Sequence, residues 1–148
     1  MSTYTQILYQ IVFSTKDREM SLLDRSREQL FRYIWGILKM KDCKLYRING
    51  IQNHLHIATH IHPAIPLATL VKDIKIASSV WIKEKKIFPD FRGWQEGYGA
   101  FTCSFHEKDK LVKYIEMQQE HHKLKSYKEE YIELLKENGI EFNEKYLL

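Results

Sequence analysis

The chain is poor in cysteine, proline and glycine, since its 148 residues include two cysteines, three prolines and six glycines. Cys43 and Cys103 stand apart without a CxxC spacing, which argues against a disulfide framework and favours a reduced protein of the cytoplasm. The sequence also has no repeat, no low-complexity segment and no linker-like stretch. We therefore expect a single domain over residues 1–148.

Long apolar runs and nucleotide-binding motifs are missing as well. No segment approaches the roughly 18 to 20 apolar residues that a membrane span requires. Residues 1–16 have no basic start, long apolar core or cleavage site of a signal peptide. Neither G-x-x-x-x-G-K-S/T nor G-x-G-x-x-G occurs. The sequence thus predicts a cytoplasmic protein with no membrane partner and no nucleotide cofactor.

The composition is that of a globular domain. Apolar residues make up 44% and charged residues 28%, and the net charge of +4 favours a polyanionic partner only weakly. A chain of this size buries roughly 70% of the surface that its unfolded form exposes, which is enough for a core. We place the core at about residues 4–124 and a C-terminal helix and tail at about 126–148, where packing against a second copy is expected.

Hydrophobic periodicity predicts four strands and four helices. The strands are expected at 6–15, 43–50, 54–61 and 98–105, and the helices at 24–40, 67–86, 104–124 and 126–138. This order is typical of an α+β fold, the ferredoxin-like split βαβ sandwich. It has one antiparallel sheet with helices on one face, to which this chain adds C-terminal helices.

Local signals predict where some of these elements begin and end. Asn49-Gly50 is a hairpin signal between the second and third strands. Two Ser-x-x-Glu capping boxes, at 104–107 and 126–129, predict the starts of the third and fourth helices. Gly139 can end the fourth helix in the left-handed conformation.

Histidines 54, 56, 60 and 62 have one parity on the third predicted strand. Side chains two apart on a strand point the same way, about 6.6 Å apart, so two imidazoles can converge on one metal ion. Periodicity does not choose between His54/His56 and His60/His62. The alternative is a row of half-exposed histidines that form hydrogen bonds with their neighbours.

A second polar group lies on the third predicted helix. Tyr114 and Gln118 are one turn apart and share a face, and His121 and His122 follow one turn later. The alternative is a solvated helix face with one aromatic residue packed at its edge.

Together these motifs resemble the single-tyrosine HUH transposases of small bacterial insertion sequences and their REP-associated tyrosine transposase relatives. The resemblance covers about residues 4–123, in the same order and spacing. It rests on "QIVFSTKDR", "NHLHI", "WQEGYGAF" and "KYIEMQQEHH".

The resemblance implies roles for particular residues. Tyr114, on a C-terminal helix, matches the nucleophile. His54, His56 and Gln118 match the ligands of a divalent metal, either magnesium or manganese. His121 and His122 match a recurring "EHH" that is structural, supports the ligands or contacts substrate.

The resemblance also implies a reaction. A metal-dependent transposase of this kind cleaves and rejoins single-stranded DNA with hairpin or palindromic ends, through a 5′-phosphotyrosine intermediate. A homodimer is expected, with the tyrosine serving its own chain or its partner. The alternatives are an HUH replication or transfer nickase and a non-catalytic nucleic-acid-binding module on the same fold.

Basic and aromatic residues after the histidine strand are candidates for contact with DNA. Cations neutralise phosphates, and aromatic rings stack on bases. The alternative is that the lysines face water and the aromatic rings belong to the core. The candidates are Lys72, Lys75, Lys83, Lys85, Lys86, Arg92 and Trp94.

Overall fold

The computed structural model describes residues 2–147, which form one four-stranded antiparallel sheet and the helices that pack on it. The strands are β1 (Leu8–Ser14), β2 (Leu45–Gly50), β3 (His54–His60) and β4 (Gly99–Cys103). The helices are α1 (Asp24–Met40), α2 (Leu67–Lys85), α3 (Lys108–Glu116), α4 (Gln118–His121) and α5 (Tyr127–Glu137). Within residues 2–147, every helix is too short or too polar to cross a bilayer.

The strand order is β2-β3-β1-β4, which confirms the ferredoxin-like arrangement. β1 lies in the middle of the sheet and pairs antiparallel with both β3 and β4. Its register with β3 sets Val12 opposite His56 and Ser14 opposite His54. The predicted histidine strand is therefore flanked on both sides and holds its side chains in fixed positions.

The two faces of the sheet carry different residues because side chains alternate along each strand. Ile11, Phe13 and Leu55 point into the larger core, where α1 and α2 pack. Val12 points to the opposite face and packs in a smaller cluster with Phe101 of β4 and apolar residues of α5. The two histidines that flank Leu55 are therefore on the face that the C-terminal helices cover.

The predicted hairpin turn at Asn49-Gly50 is wrong, because both residues belong to β2 and the chain turns at 51–53. Gly50 is required for a different reason. A Cβ atom there would lie 2.3 Å from the His54 carbonyl oxygen, which also accepts the Ile51 N–H at 3.1 Å. The absence of a side chain thus lets β2 approach the start of the histidine strand.

The third predicted helix is also not continuous. A 3-10 turn at Phe105–Glu107 precedes α3, and Met117 (φ −91°, ψ 18°) separates α3 from α4. Ser104 makes no capping bond with its side chain, so the first capping box does not form. The second box is confirmed, since Ser126 Oγ accepts the Glu129 N–H at 3.2 Å.

Replacing Gly50 with alanine is expected to lower the free energy of unfolding by about 1 to 3 kcal/mol, because the backbone oxygen of His54 cannot move away without disturbing the hairpin. Gly36, inside α1, has no atom within 4 Å of an added Cβ. Gly36→Ala is therefore a control that should stabilise the protein by about 1 kcal/mol. Urea unfolding measures both changes, and a wild-type midpoint for Gly50→Ala would contradict the close approach.

Candidate active site

His54 and His56 lie side by side on the sheet face that the C-terminal helices cover. Both are fully buried, with ring centroids 5.1 Å apart. Neighbouring amides fix both rings, since Nδ1 of His54 is 2.9 Å from Asn53 Oδ1 and Nδ1 of His56 is 3.1 Å from Gln10 Nε2. The two Nε2 atoms are left to face the C-terminal helices.

The other histidine pair is engaged elsewhere. Nδ1 of His60 accepts the backbone N–H of Ile7 at 3.0 Å. His62 lies beyond the end of β3, and its Nδ1 accepts the N–H of Ala64 at 3.1 Å. The structure thus distinguishes the two H-x-H pairs, because only the first of them contacts the tyrosine helix and its neighbours within residues 2–147.

Tyr114 and Gln118 face this first pair from two short helices. The Tyr114 ring lies 5.7 Å from the His56 ring. Gln118 is fully buried, and its Oε1 is 3.2 Å from Nε2 of His54. The two side chains lie on either side of the break at Met117.

Asn49 of β2 fixes the break between α3 and α4. Its amide nitrogen donates to the Ile115 carbonyl at 3.0 Å and to Gln119 Oε1 at 3.1 Å. Gln119 in turn donates to Asn49 Oδ1 and to the Gly50 carbonyl, each at 3.2 Å. The tyrosine helix is therefore attached to the sheet of its own chain.

Sequence reasoning missed Glu130, which lies at the centre of the cluster. The residue is 4% exposed. Its carboxylate accepts hydrogen bonds from the Tyr114 hydroxyl and from Gln118 Nε2, the latter at 3.1 Å. The signal was present, because Glu130 falls on the apolar stripe of α5, one turn after Tyr127 and one turn before Leu134.

Burial and neighbouring side chains together set the pKa values in this cluster. Burial lowers the pKa of His54 to about 4, so this ring is neutral at pH 7. Burial alone would raise the pKa of Glu130, but the contacts with the His122, His54 and His56 imidazoles outweigh it and hold that pKa well below its usual range. Burial and the nearby Glu130 carboxylate raise the pKa of Tyr114, so its hydroxyl keeps its proton in this state.

His122 and His121 lie on two sides of the cluster. The His122 ring is 4.5 Å from the His54 ring, and its Nδ1 donates to the Lys125 carbonyl at 2.7 Å. The His121 ring is 4.7 Å from the Tyr114 ring. A role for either residue in the reaction stays a prediction.

The donor set suits a divalent metal. Ligand atoms of His54, His122 and Glu130 all lie within 4.8 Å of one another. Gln118 Oε1 adds an amide oxygen beside His54. Imidazole nitrogens combined with oxygen donors are suitable for manganese, and oxygen donors suit magnesium.

The residues predicted to contact DNA mostly lie away from this cluster. Lys75 donates to the carbonyls of Gln95 and Gly97 at 2.8 and 2.6 Å, and Arg92 forms ion pairs with Asp17 and Glu19. The indole N–H of Trp94 donates to Ser78 Oγ, and its ring packs on Phe13. The remaining candidates are on α2 or at its C-terminal end, across the sheet from the histidines: Lys72, Lys83, Lys85 and Lys86. DNA binding by all seven stays a prediction.

Fold and site together define a class: a ferredoxin-like protein in which paired strand histidines face a tyrosine and a glutamine from later helices. Residues 3–118 match the family described as IS200-like transposases, so the chain belongs to that family. The resemblance seen in the sequence is confirmed, and membership supports a transposase role with DNA as partner. The family match ends at Gln118, so His122 and Glu130 lie beyond it.

Two solved structures are similar in fold. One is a candidate transposase from Deinococcus radiodurans R1, with a TM-score of 0.63 and 22% identity over 80% of this chain and 95% of that one. The other is a REP-associated tyrosine transposase bound to a REP hairpin, with a TM-score of 0.62 and 15% identity over 82% of this chain and 74% of that one. No curated protein matches the sequence.

Proposed function

We propose that this protein is a metal-dependent DNA strand transferase that cleaves and rejoins single-stranded DNA through a 5′-phosphotyrosine at Tyr114. One observation supports it most. The Tyr114 hydroxyl and the Nε2 atoms of His54 and His56 all reach the same carboxylate of Glu130. A nucleophile and two candidate ligands thus converge in a chain of a transposase family.

Tyr114 would act by attacking the scissile phosphorus. A bond forms between its phenolic oxygen and the 5′-phosphate of the downstream strand, while the bond to the upstream 3′-oxygen breaks. The leaving oxygen takes up a proton and becomes a 3′-hydroxyl, and the phenol proton is released. Because one phosphodiester replaces another, the energy for rejoining is conserved and the reaction requires no nucleotide cofactor.

His54, His56 and Gln118 would hold the metal, and their neighbours orient them. A bound magnesium or manganese ion supplies Lewis-acid stabilisation of negative charge at the scissile phosphate. Two neutral imidazoles and a neutral amide add no negative charge that would weaken this effect. Asn53 and Gln10 hold the two rings in place on the sheet.

DNA with hairpin or palindromic ends is the substrate that we propose. The fold neighbour that binds a REP hairpin supports this class of substrate. At 15% identity, that neighbour shares the fold with this chain. The REP-associated tyrosine transposase among the fold neighbours likewise favours transposition over the replication or transfer nickase. A homodimer and the cytoplasmic location stay predictions.

The active site is predicted to form within one chain. Asn49 and Gln119 attach the tyrosine helix to its own sheet, close to His56. A mixture of Tyr114→Phe and His56→Ala chains should therefore form no more DNA adduct than either variant alone. Adduct recovered on the His56→Ala chain would instead show that its tyrosine serves the partner's histidines.

The function is tested with labelled single strands from the DNA that flanks the gene, incubated with protein and manganese. A denaturing gel should show protein-linked DNA that disappears on chelation and returns when manganese is restored. A non-catalytic binding module would retain the hairpin on a native gel and form no adduct.

A further inference from the structure

Glu130 Oε1 lies among three imidazoles. It is 2.9 Å from Nε2 of His56, 3.0 Å from Nε2 of His122 and 3.3 Å from Nε2 of His54. Such distances fit hydrogen bonds wherever the nitrogen carries a proton. The position of each ring proton therefore decides what these contacts are.

The His122 proton is on the other nitrogen. Its Nδ1 is 2.7 Å from the carbonyl oxygen of Lys125, and a carbonyl only accepts, so Nδ1 carries the hydrogen. In the neutral ring Nε2 is then a bare lone pair, and it faces Glu130 Oε1. Two acceptors face each other at 3.0 Å, which requires either an additional proton or a cation between them.

His54 has the same arrangement. Its Nδ1 faces Asn53 Oδ1, because the Asn53 amide nitrogen is turned to the Arg18 carbonyl. Its Nε2 lone pair then faces two oxygens, Oε1 of Gln118 and Oε1 of Glu130, at 3.2 and 3.3 Å. The amide nitrogen of Gln118 donates to the other Glu130 oxygen, so it is the amide oxygen that faces His54.

Glu130 Oε1 is 3.0 and 3.3 Å from Nε2 of His122 and His54, which matches the spacing of neighbouring ligands around a single ion. With metal–ligand bonds of about 2.1 Å, neighbouring donors of an octahedral or tetrahedral site lie about 3.0 to 3.4 Å apart. The carbonyl that holds His122 Nδ1 is a typical orienting partner of a metal-bound histidine. Both His122 and Glu130 lie beyond the family match, which ends at Gln118.

We infer that His122 and Glu130 supply two further ligands to the divalent ion of the proposed function, on which this inference rests. Glu130 of α5 would then be the fifth protein ligand of an ion that offers six positions. A DNA phosphate that occupies two of these positions would displace the Glu130 carboxylate. The same displacement releases the Tyr114 hydroxyl from its bond to Glu130.

The test measures manganese binding by the whole chain. The readout is the electron paramagnetic resonance signal of free Mn²⁺. Glu130→Gln and His122→Gln are each expected to weaken binding by about tenfold or more, since an amide is a weaker ligand than a carboxylate or an imidazole. Glu129→Gln, a change of the same charge at an exposed position one residue earlier, should bind like the wild type. Thermal unfolding of each variant confirms that α5 still folds.

Wild-type affinity in both Glu130→Gln and His122→Gln would overturn the inference and assign the contacts to protonated imidazoles. The proposed function would survive that result, since it is measured by adduct formation. A wild-type protein that binds no manganese would overturn the inference and remove the metal from the proposed function as well.

Discussion

Replacing Tyr114 with phenylalanine is expected to reduce covalent protein–DNA adduct by about 10⁴-fold or more, because the variant has no oxygen to form the bond to phosphorus. The ring can still pack beside His121 and against the edge of His56, so the fold should be retained. Single-turnover cleavage of labelled single strands in manganese, resolved on a denaturing gel, measures the loss.

Tyr33→Phe provides the control for Tyr114→Phe. Tyr33 stacks on Trp81 between α1 and α2, on the opposite face of the sheet, so loss of its hydroxyl should leave adduct formation unchanged. Hairpin binding on a native gel should be the same for both variants and the wild type. Adduct formed by Tyr114→Phe at the wild-type rate would exclude Tyr114 as the nucleophile.

Replacing His56 with alanine is expected to slow cleavage by about 10³-fold and to raise the manganese concentration that cleavage requires. The change removes one of the two strand ligands proposed to hold the ion that stabilises charge at the phosphate. It also leaves Glu130 without one of its buried partners, so folding of the variant must be verified by thermal unfolding.

His60→Ala is the control for His56→Ala, since His60 lies on the same strand with the same parity but contacts the backbone of Ile7. This change should affect cleavage by less than about threefold. An equal loss of cleavage in His56→Ala and His60→Ala would mean that both histidines stabilise the sheet and do not bind the metal. Cleavage by the wild type that resists chelation would contradict the metal site directly.

The fold could be predicted because its main features are periodic in the sequence. Because side chains alternate along a strand, Leu55 lies in the larger core and the adjacent histidines lie on the other face. Leu30, Ile34 and Leu38 recur at helical spacing in the sequence, and they form the buried face of α1. Gly50 was misread because its role is a close approach to another strand, and local turn statistics do not contain that information.

The break in the tyrosine helix could not be predicted from local signals. Residues 104–124 contain no glycine or proline, so local signals indicate one helix. The bonds from Asn49 that hold the break come from a strand more than sixty residues earlier. They place Tyr114 and Gln118 on separate helices that still face His54 and His56.

The site was only partly visible in the sequence. The resemblance selected residues that the structure brings together, with Gln118 beside His54 and Tyr114 beside His56. Glu130 was missed because its only distinctive feature in the sequence is its position one turn from Tyr127 and one turn from Leu134 on α5. The chain itself engages Lys75 and Arg92, and their contact with DNA stays a prediction.

The polarity of the covalent link tests the central claim most directly. A single strand is labelled at its 5′ end in one reaction and at its 3′ end in another, and the protein-linked band is then digested to find the modified peptide. A 5′-phosphotyrosine at Tyr114 predicts that only the 3′ label moves with the protein, while the 5′ label leaves on a fragment with a free 3′-hydroxyl. A 5′ label on the protein, or DNA attached to a residue other than Tyr114, would contradict it.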